Sequence, residues 1–292
     1  MNPALLLLAD SRLPAGGHAH SGGTEQAITS GAVSDVPSLA RFLRGRLHTT
    51  GALAATLTAA AHTQATTPPP QPPTSASSTT GAGADADEVG QVAAGAPWVL
   101  LDAEVDARTA APAQRDASRT QGRLLLRVAR RMWPSPVLDE LARAVPSPHH
   151  PIALGAVAYA AGATAGEAAM AAAYHAISGP ATAAVRLLGL DPVAVHGLLA
   201  DLTPDLTAIA TEAHLAVTNA RSTAHLAVTD ADSTAHPTVT DTDSTAHPGP
   251  TSQTPDPADP LPWLAALPAY SSPALDLLAE QHARAEVRLF VS

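Results

Sequence analysis

His18 and His20 stand one residue apart in a glycine-rich stretch, Gly16-Gly17-His18-Ala19-His20-Ser21-Gly22-Gly23. On a strand, residues i and i+2 point the same way, so such a pair presents two imidazoles to one metal ion, as in a metal-dependent hydrolase. The same loop supports other chemistry. Paired glycines allow positive φ and close backbone approach, and the exposed amides of such turns hold an anion or a partner's carbonyl. The plainest reading is a tight turn between packed helices, with Ser21 or Thr24 capping the helix that follows. No strand-like run precedes the pair, and no alternating strand–helix pattern surrounds it.

A second group lies in residues 113–132. At 100° per residue, Arg115, Arg119, Arg123, Arg127 and Arg130 fall on one side, and Ala117, Leu124, Leu125, Val128 and Met132 on the other. Such a row is a solvated face or a docking surface, because the planar guanidinium binds carboxylates through two bonds at once. Asp102, Glu104 and Asp106 read as the acidic opening of a helix, where they complement its dipole. Much chemistry is excluded. Cysteine and lysine are absent, so there is no thiolate ligand, no cysteine nucleophile, no Schiff-base lysine and no P-loop lysine. GxSxG and H-E-x-x-H are missing, and no nucleophile, base and oxyanion donor assemble. The expectation is a protein that is not an enzyme and has no assigned metal ligand.

The elements that position these groups are predicted to be helices. Aromatics are 3% of the chain and alanine dominates, which favours close-packed helices over strands. Asp35 caps a helix with Pro37 in its first turn. Further helices are expected at 113–132, 151–161, 166–177, 181–188, 191–200 and 273–287, with Gly179-Pro180 as a break. Two stretches carry no core-forming pattern. Residues 62–97 are rich in Pro, Ser, Thr and Ala. Residues 212–262 hold an eleven-residue repeat with histidines at His214, His225, His236 and His247. Both are too polar to offset the entropy of ordering. The expected architecture is an all-α, single-domain helical bundle of residues 1–61, 98–211 and 263–292 with two low-complexity inserts. The inserts carry −3 and −6 of the −10 formal charge, so the core is close to neutral and nothing suggests nucleic acid. No run of about 18 apolar residues suggests a membrane span, and a soluble, cytoplasmic protein is expected.

The loop D-S-R-L-P-A-G-G-H-A-H-S-G-G at residues 10–23 resembles the opening signature of the UreF family of urease accessory proteins. The resemblance continues through Gly31-Ala32-Val33 and R-x-x-S-x-x-x-G-R-x-L-L at 115–126, then His150-Pro151 with Gly155. It closes with Ala184-Val185-Arg186-Leu187, His282 and Arg288-Leu289-Phe290-Val291-Ser292. His18 departs from it, standing where many relatives have Phe. The resemblance implies a helical protein that dimerises and joins a UreD/UreH-type scaffold to the GTPase UreG and apo-urease. No tightly bound cofactor is implied, since the complex handles the nickel. Partner-binding residues are expected at Gly16, Gly17, His18, His20, Ser21, Arg119, Arg123, Arg186, Arg288 and Phe290. The alternative is the hydrolase built on His18 and His20.

Overall fold

The computed structural model describes residues 2–10, 13, 14, 20–67, 83–233, 261–285, 289 and 290, with the side chains of 83–94 and 227–233 excepted. All regular structure among them is helical. The short helices α1 (Ala4–Ala9) and α2 (Thr24–Thr29) lead into α3 (Val36–Arg46). Asp35 starts α3 as expected: its carboxylate accepts from the Ser38 amide at 2.8 Å, and Ser38 Oγ accepts from the Asp35 amide at 3.0 Å. Leu39, Leu43 and Leu47, four residues apart, are fully buried along one face. The chain then passes through a π turn, Leu47–Gly51, straight into α4 (Ala52–Ala65).

The core forms around α4 and α8 (His150–Ala160), both buried nearly all round. They touch at Gly155, where a Cβ would stand 2.4 Å from the Thr58 carbonyl oxygen and 2.7 Å from the Ala61 Cβ. Alanine and glycine supply this closeness in a core poor in aromatics. Around the pair lie α5 (Gly83–Arg108), α6 (Pro112–Met132), α7 (Pro136–Ala144), α9 (Ala165–Leu188), α10 (Pro192–Asp201) and α11 (Thr203–Ser233). A 3₁₀ turn at Pro262–Ala266 and α12 (Pro273–Arg284) complete the described chain. Among the described residues no single helix is long and apolar enough to cross a membrane.

Three expectations need correction. Gly179-Pro180 does not break the chain: α9 runs through Pro180. A proline lacks the N–H that would bond the carbonyl four residues back. That carbonyl, Ala176 O, instead accepts from Arg46 Nε at 2.8 Å. The first polar stretch is shorter than 62–97, because α4 continues to Ala65 with His62 and Ala65 buried, and α5 begins at Gly83. Within 212–262, α11 extends to Ser233 and buries Ala213, Val217 and Ala220, packing against α4 and α9. Eleven residues span three helical turns. The repeat therefore keeps Ala213 and Ala224 on the packed face, and His214 and His225 on the exposed one. The repeat histidines His236 and His247 lie outside the described residues.

His62 shows what burial does to a histidine here. Its Nε2–H donates to the Ala163 carbonyl at 2.7 Å, and its ring meets Tyr159 edge-on. Burial lowers its pKa from the ordinary 6.5, against the opposing pull of the Ala163 bond. The unfolded chain thus takes up a proton below pH 6.5 that the folded chain resists. The stabilising contribution is complete above that pH and is lost as pH falls. Thermal melts at pH 7 and pH 5 should show a lower melting point in acid, and His62→Gln should flatten that dependence.

Candidate functional site

The loop before α2 is held by one arginine. Gly22 and Gly23 adopt φ of +60° and +84°, which favour glycine. A Cβ on Gly22 would lie 3.0 Å from both the Arg46 guanidinium carbon and Pro180 Cγ. Arg46 Nη1 donates to the Gly22 carbonyl at 2.8 Å while its Nε holds Ala176 O. Arg46 thus ties the glycine turn to the proline turn of α9. Desolvation lowers its pKa to about 10, which leaves it charged at neutral pH. Ser21 and Thr24 are buried, Gly23 occupies the cap position, and the Thr24 hydroxyl has no hydrogen-bond partner among the described residues. Of the two expected caps Thr24 is therefore ruled out, and the residue at the cap position is a left-handed glycine.

Beside this turn lies a cavity of about 880 Å³. Leu8, His20, Arg46, His150, His175 and Phe290 are on its wall. His175 Nε2–H donates to the Leu8 carbonyl of α1 at 2.9 Å. The rings of His150 and His175 stand 5.7 Å apart, tilted by 50°. Burial, then the neighbouring His175 and His20, pushes the His150 pKa down to about 3, so its imidazole is neutral at physiological pH. Burial lowers His175 too, against its bond to Leu8.

The arginine row splits in two. Arg119 turns inward, with Nη1 to Asp102 Oδ2 at 2.8 Å and to the Ser147 carbonyl at 2.9 Å, and Nη2 to Asp106 Oδ2 at 2.6 Å. His149 completes the network through its amide to Asp102 Oδ1 at 2.7 Å and its Nε2 to Asp106 Oδ1 at 2.9 Å. Burial raises the Asp106 pKa, but the bonds from His149 and Arg119 outweigh it and the net shift is down. Asp102, Asp106 and His149 bring three ligand atoms within metal-binding range, but the Arg119 guanidinium already supplies their cation. The reading of Asp102, Glu104 and Asp106 as a helix start is wrong. They close α5, where Glu104 pairs with Arg108 and the two aspartates face α6. Gly122 lets this happen, since a Cβ there would lie 2.0 Å from the Pro148 carbonyl. The expected row of five equivalent arginines fails because α5 meets one end of it. Arg123 and Arg127 are exposed, and Arg130 pairs with Asp139 at 2.6 Å.

The C-terminal segment folds onto its own bundle. Glu25 accepts from the amides of Leu289 at 2.8 Å and Phe290 at 3.1 Å. Arg186 lies over the Phe290 ring, 5.4 Å from its centroid. Phe290 is buried, enclosed by Glu25 of α2, Arg186 of α9 and His282 of α12. Leu289 is the exposed member, at 75%. In Glu25→Ala, amide exchange at Leu289 and Phe290 should speed up by roughly 10- to 100-fold, the loss expected for bonds to a charged acceptor.

Comparison with known proteins supplies the family. A family model described as UreF matches residues 33–203. The chain belongs to the UreF family. It is 45% identical over 211 residues to the urease accessory protein UreF of Mycobacterium sp. (strain JLS), covering 71% of this chain and 84% of that protein. It is 41% identical over 209 residues to the UreF of Mycolicibacterium vanbaalenii, covering 72% and 84%. Against the UreF of Mycobacterium marinum it is 40% identical over 215 residues, covering 74% and 86%.

The UreF match includes Arg46, Arg119, Arg123, His150, His175 and Arg186, and leaves His20, Ser21 and Phe290 outside its limits. Of the residues expected to bind partners, the structure joins Arg186 to Phe290, places His20 on the cavity wall and buries Ser21 next to it in the chain. Arg119 is spent within the fold, and Arg123 stands apart in solvent. Gly16, Gly17, His18 and Arg288 lie outside the described residues. Sequence reasoning missed Arg46, Glu25, His149 and His175. A signal for Arg46 existed: a proline inside a helix frees the carbonyl at i−4, which needs a donor.

Proposed function

We propose that this chain acts by assembly and not by catalysis, bridging a UreD/UreH-type scaffold and the GTPase UreG while the urease nickel centre matures. The complex, acting in the cytoplasm, handles the nickel, and the chain works as a homodimer. The observation that carries this reading, beside membership of the UreF family, is the outer face of α6. Arg123, Arg127 and Arg131 recur every four residues, are exposed, and form no ion pair with the described residues. Cations without ion-pair partners among the described residues suit carboxylates on another protein, and the bidentate fork of arginine fixes their orientation. The test is co-expression of the tagged chain with scaffold, GTPase and apo-urease, followed by co-purification and a urease assay. All partners should co-elute, and Arg123→Glu with Arg127→Glu should release at least one. Failure of every partner to co-elute would sink the reading. Substrate turnover by the purified chain with metal alone would favour the hydrolase instead.

A further inference from the structure

Two arginines line the cavity beside the glycine turn. Arg108 pairs with Glu104 of its own helix. Arg46 has no ion pair among the described residues. Its Nε and Nη1 hold the carbonyls of Ala176 and Gly22, each at 2.8 Å, and its Nη2 makes no hydrogen bond with a described residue. Carbonyl dipoles orient a guanidinium but do not cancel its charge. Burial lowers its pKa to about 10, and no neighbouring acid pulls it back up. A group that stays charged this far from bulk water is costly until a counter-charge reaches it. His150 on the same wall is neutral at physiological pH and adds no charge of its own. The remaining surface of Arg46 is half-buried and lies on the cavity wall. Gly22 keeps that surface open: a Cβ there would stand 3.0 Å from Nη2, so a side chain would cover the nitrogen that glycine leaves bare.

We propose that the cavity binds a small monocarboxylate, with its carboxylate on Arg46 and its apolar body against Leu8, Leu53, Leu57 and Leu125. A volume of about 880 Å³ suits this class of ligand, since small-molecule sites measure about 300–1,000 Å³ and pair apolar walls with a few polar groups. Ala110, Asp116 and Ser271 line the cavity and are exposed, so it opens to solvent. Charge selects the class. One guanidinium offsets a single negative charge, whereas a phosphate ester carries about −1.5 to −2 and would leave the excess among apolar walls. Asp10, Asp116 and Asp276 on the same wall oppose a dianion further. This site does not depend on the chain's partners.

The test titrates the full chain with octanoate, followed by calorimetry and NMR. One octanoate per chain should bind, with the largest amide shifts at Gly22, Gly23 and Ala176. Octanamide has the same shape without the charge. It should bind roughly 10- to 100-fold more weakly, the loss expected when a charged hydrogen bond is given up. Inorganic phosphate should also bind more weakly than octanoate. Arg46→Gln should remove the preference for octanoate over octanamide. Ala54→Leu narrows the cavity while leaving Arg46 in place, and should weaken both ligands. Arg46 also ties two turns together. Should its variant not fold, the comparison of octanoate with octanamide on the wild type and on Ala54→Leu reads the same question. No octanoate binding in the millimolar range, equal affinity for octanamide, phosphate binding as tightly as octanoate, affinity unchanged in Ala54→Leu, or shifts centred on Arg123 and Arg127 of α6 would each overturn the site.

Discussion

Gly155→Ala should lower the melting point by roughly 6–12 °C, and Gly155→Leu should leave little folded protein. A Cβ at Gly155 falls 2.4 Å from the Thr58 carbonyl oxygen and 2.7 Å from both the Ala61 Cβ and the His62 amide nitrogen. Two of these three are backbone atoms of α4, so no side-chain rotation relieves the clash. Relief requires α4 and α8 to separate, and both also pack against α9. Overpacking costs about 1–3 kcal/mol where side chains can give. The upper end, about 3 kcal/mol, applies where only backbone can move, and each kcal/mol shifts the melting point by about 2–4 °C at this size. A leucine adds several buried atoms to the same clash and approaches the whole net stability of a domain, about 5–15 kcal/mol. Gly197→Ala in α10 is the control. Nothing lies within 4 Å of its Cβ position, and alanine there should be neutral or stabilise by up to about 1 kcal/mol. Circular dichroism melts of the three variants decide the matter. Equal melting of Gly155→Ala and wild type would mean that α4 and α8 do not approach this closely.

What was legible in the sequence was local. Asp35 with Pro37 marks the start of α3 because a cap is a contact between neighbours. The proline-bounded helix at 113–132 matches α6 within a residue. The family could be read from ordered blocks of residues, since the glycine turn and the Arg115–Leu126 pattern are specific together. What was hidden depends on contacts between elements distant in sequence. Periodicity places five arginines in a row, but not the carboxylates of Asp102 and Asp106 that recruit Arg119 from it. A proline reads as a break until Arg46, far away in the chain, takes up the orphaned carbonyl. The repeat in α11 looked too polar to fold. Alanines at three-turn intervals are enough when the facing helices are themselves lined with small residues. His20 drew notice through its neighbour His18, whereas the structure places it on the same cavity wall as His150 and His175, which no spacing in the sequence connects.

Charge reversal at Arg119 and at Arg123, four residues apart on α6, should give opposite phenotypes. Arg119 binds Asp102, Asp106 and the Ser147 carbonyl, and its side chain is 31% exposed while that of Asp102 is 7% exposed. Arg119→Glu would place three carboxylates together at the α5–α6 contact and strip Asp102 of its cation. Removing one partner of a buried pair costs about 3–5 kcal/mol, and the partial exposure of Arg119 puts the expected loss at about 3 kcal/mol. The consequence is also local. The Ser147 carbonyl would lose its donor, so the segment leading to His150 should loosen and its amides should exchange faster. Arg123 has no ion pair with the described residues and lies in solvent. Arg123→Glu should therefore change stability by no more than about 0.5 kcal/mol, while long-range attraction to an acidic partner reverses sign. Association would slow, and the wild-type interaction should weaken as salt rises. Chemical denaturation of both variants, paired with binding of each to the scaffold and GTPase at two ionic strengths, separates the two roles. If Arg119→Glu melts like the wild type, the inward network is not holding α5 to α6. If Arg123→Glu binds both partners unchanged at low salt, the exposed row is a solvated face and docking lies elsewhere on the molecule.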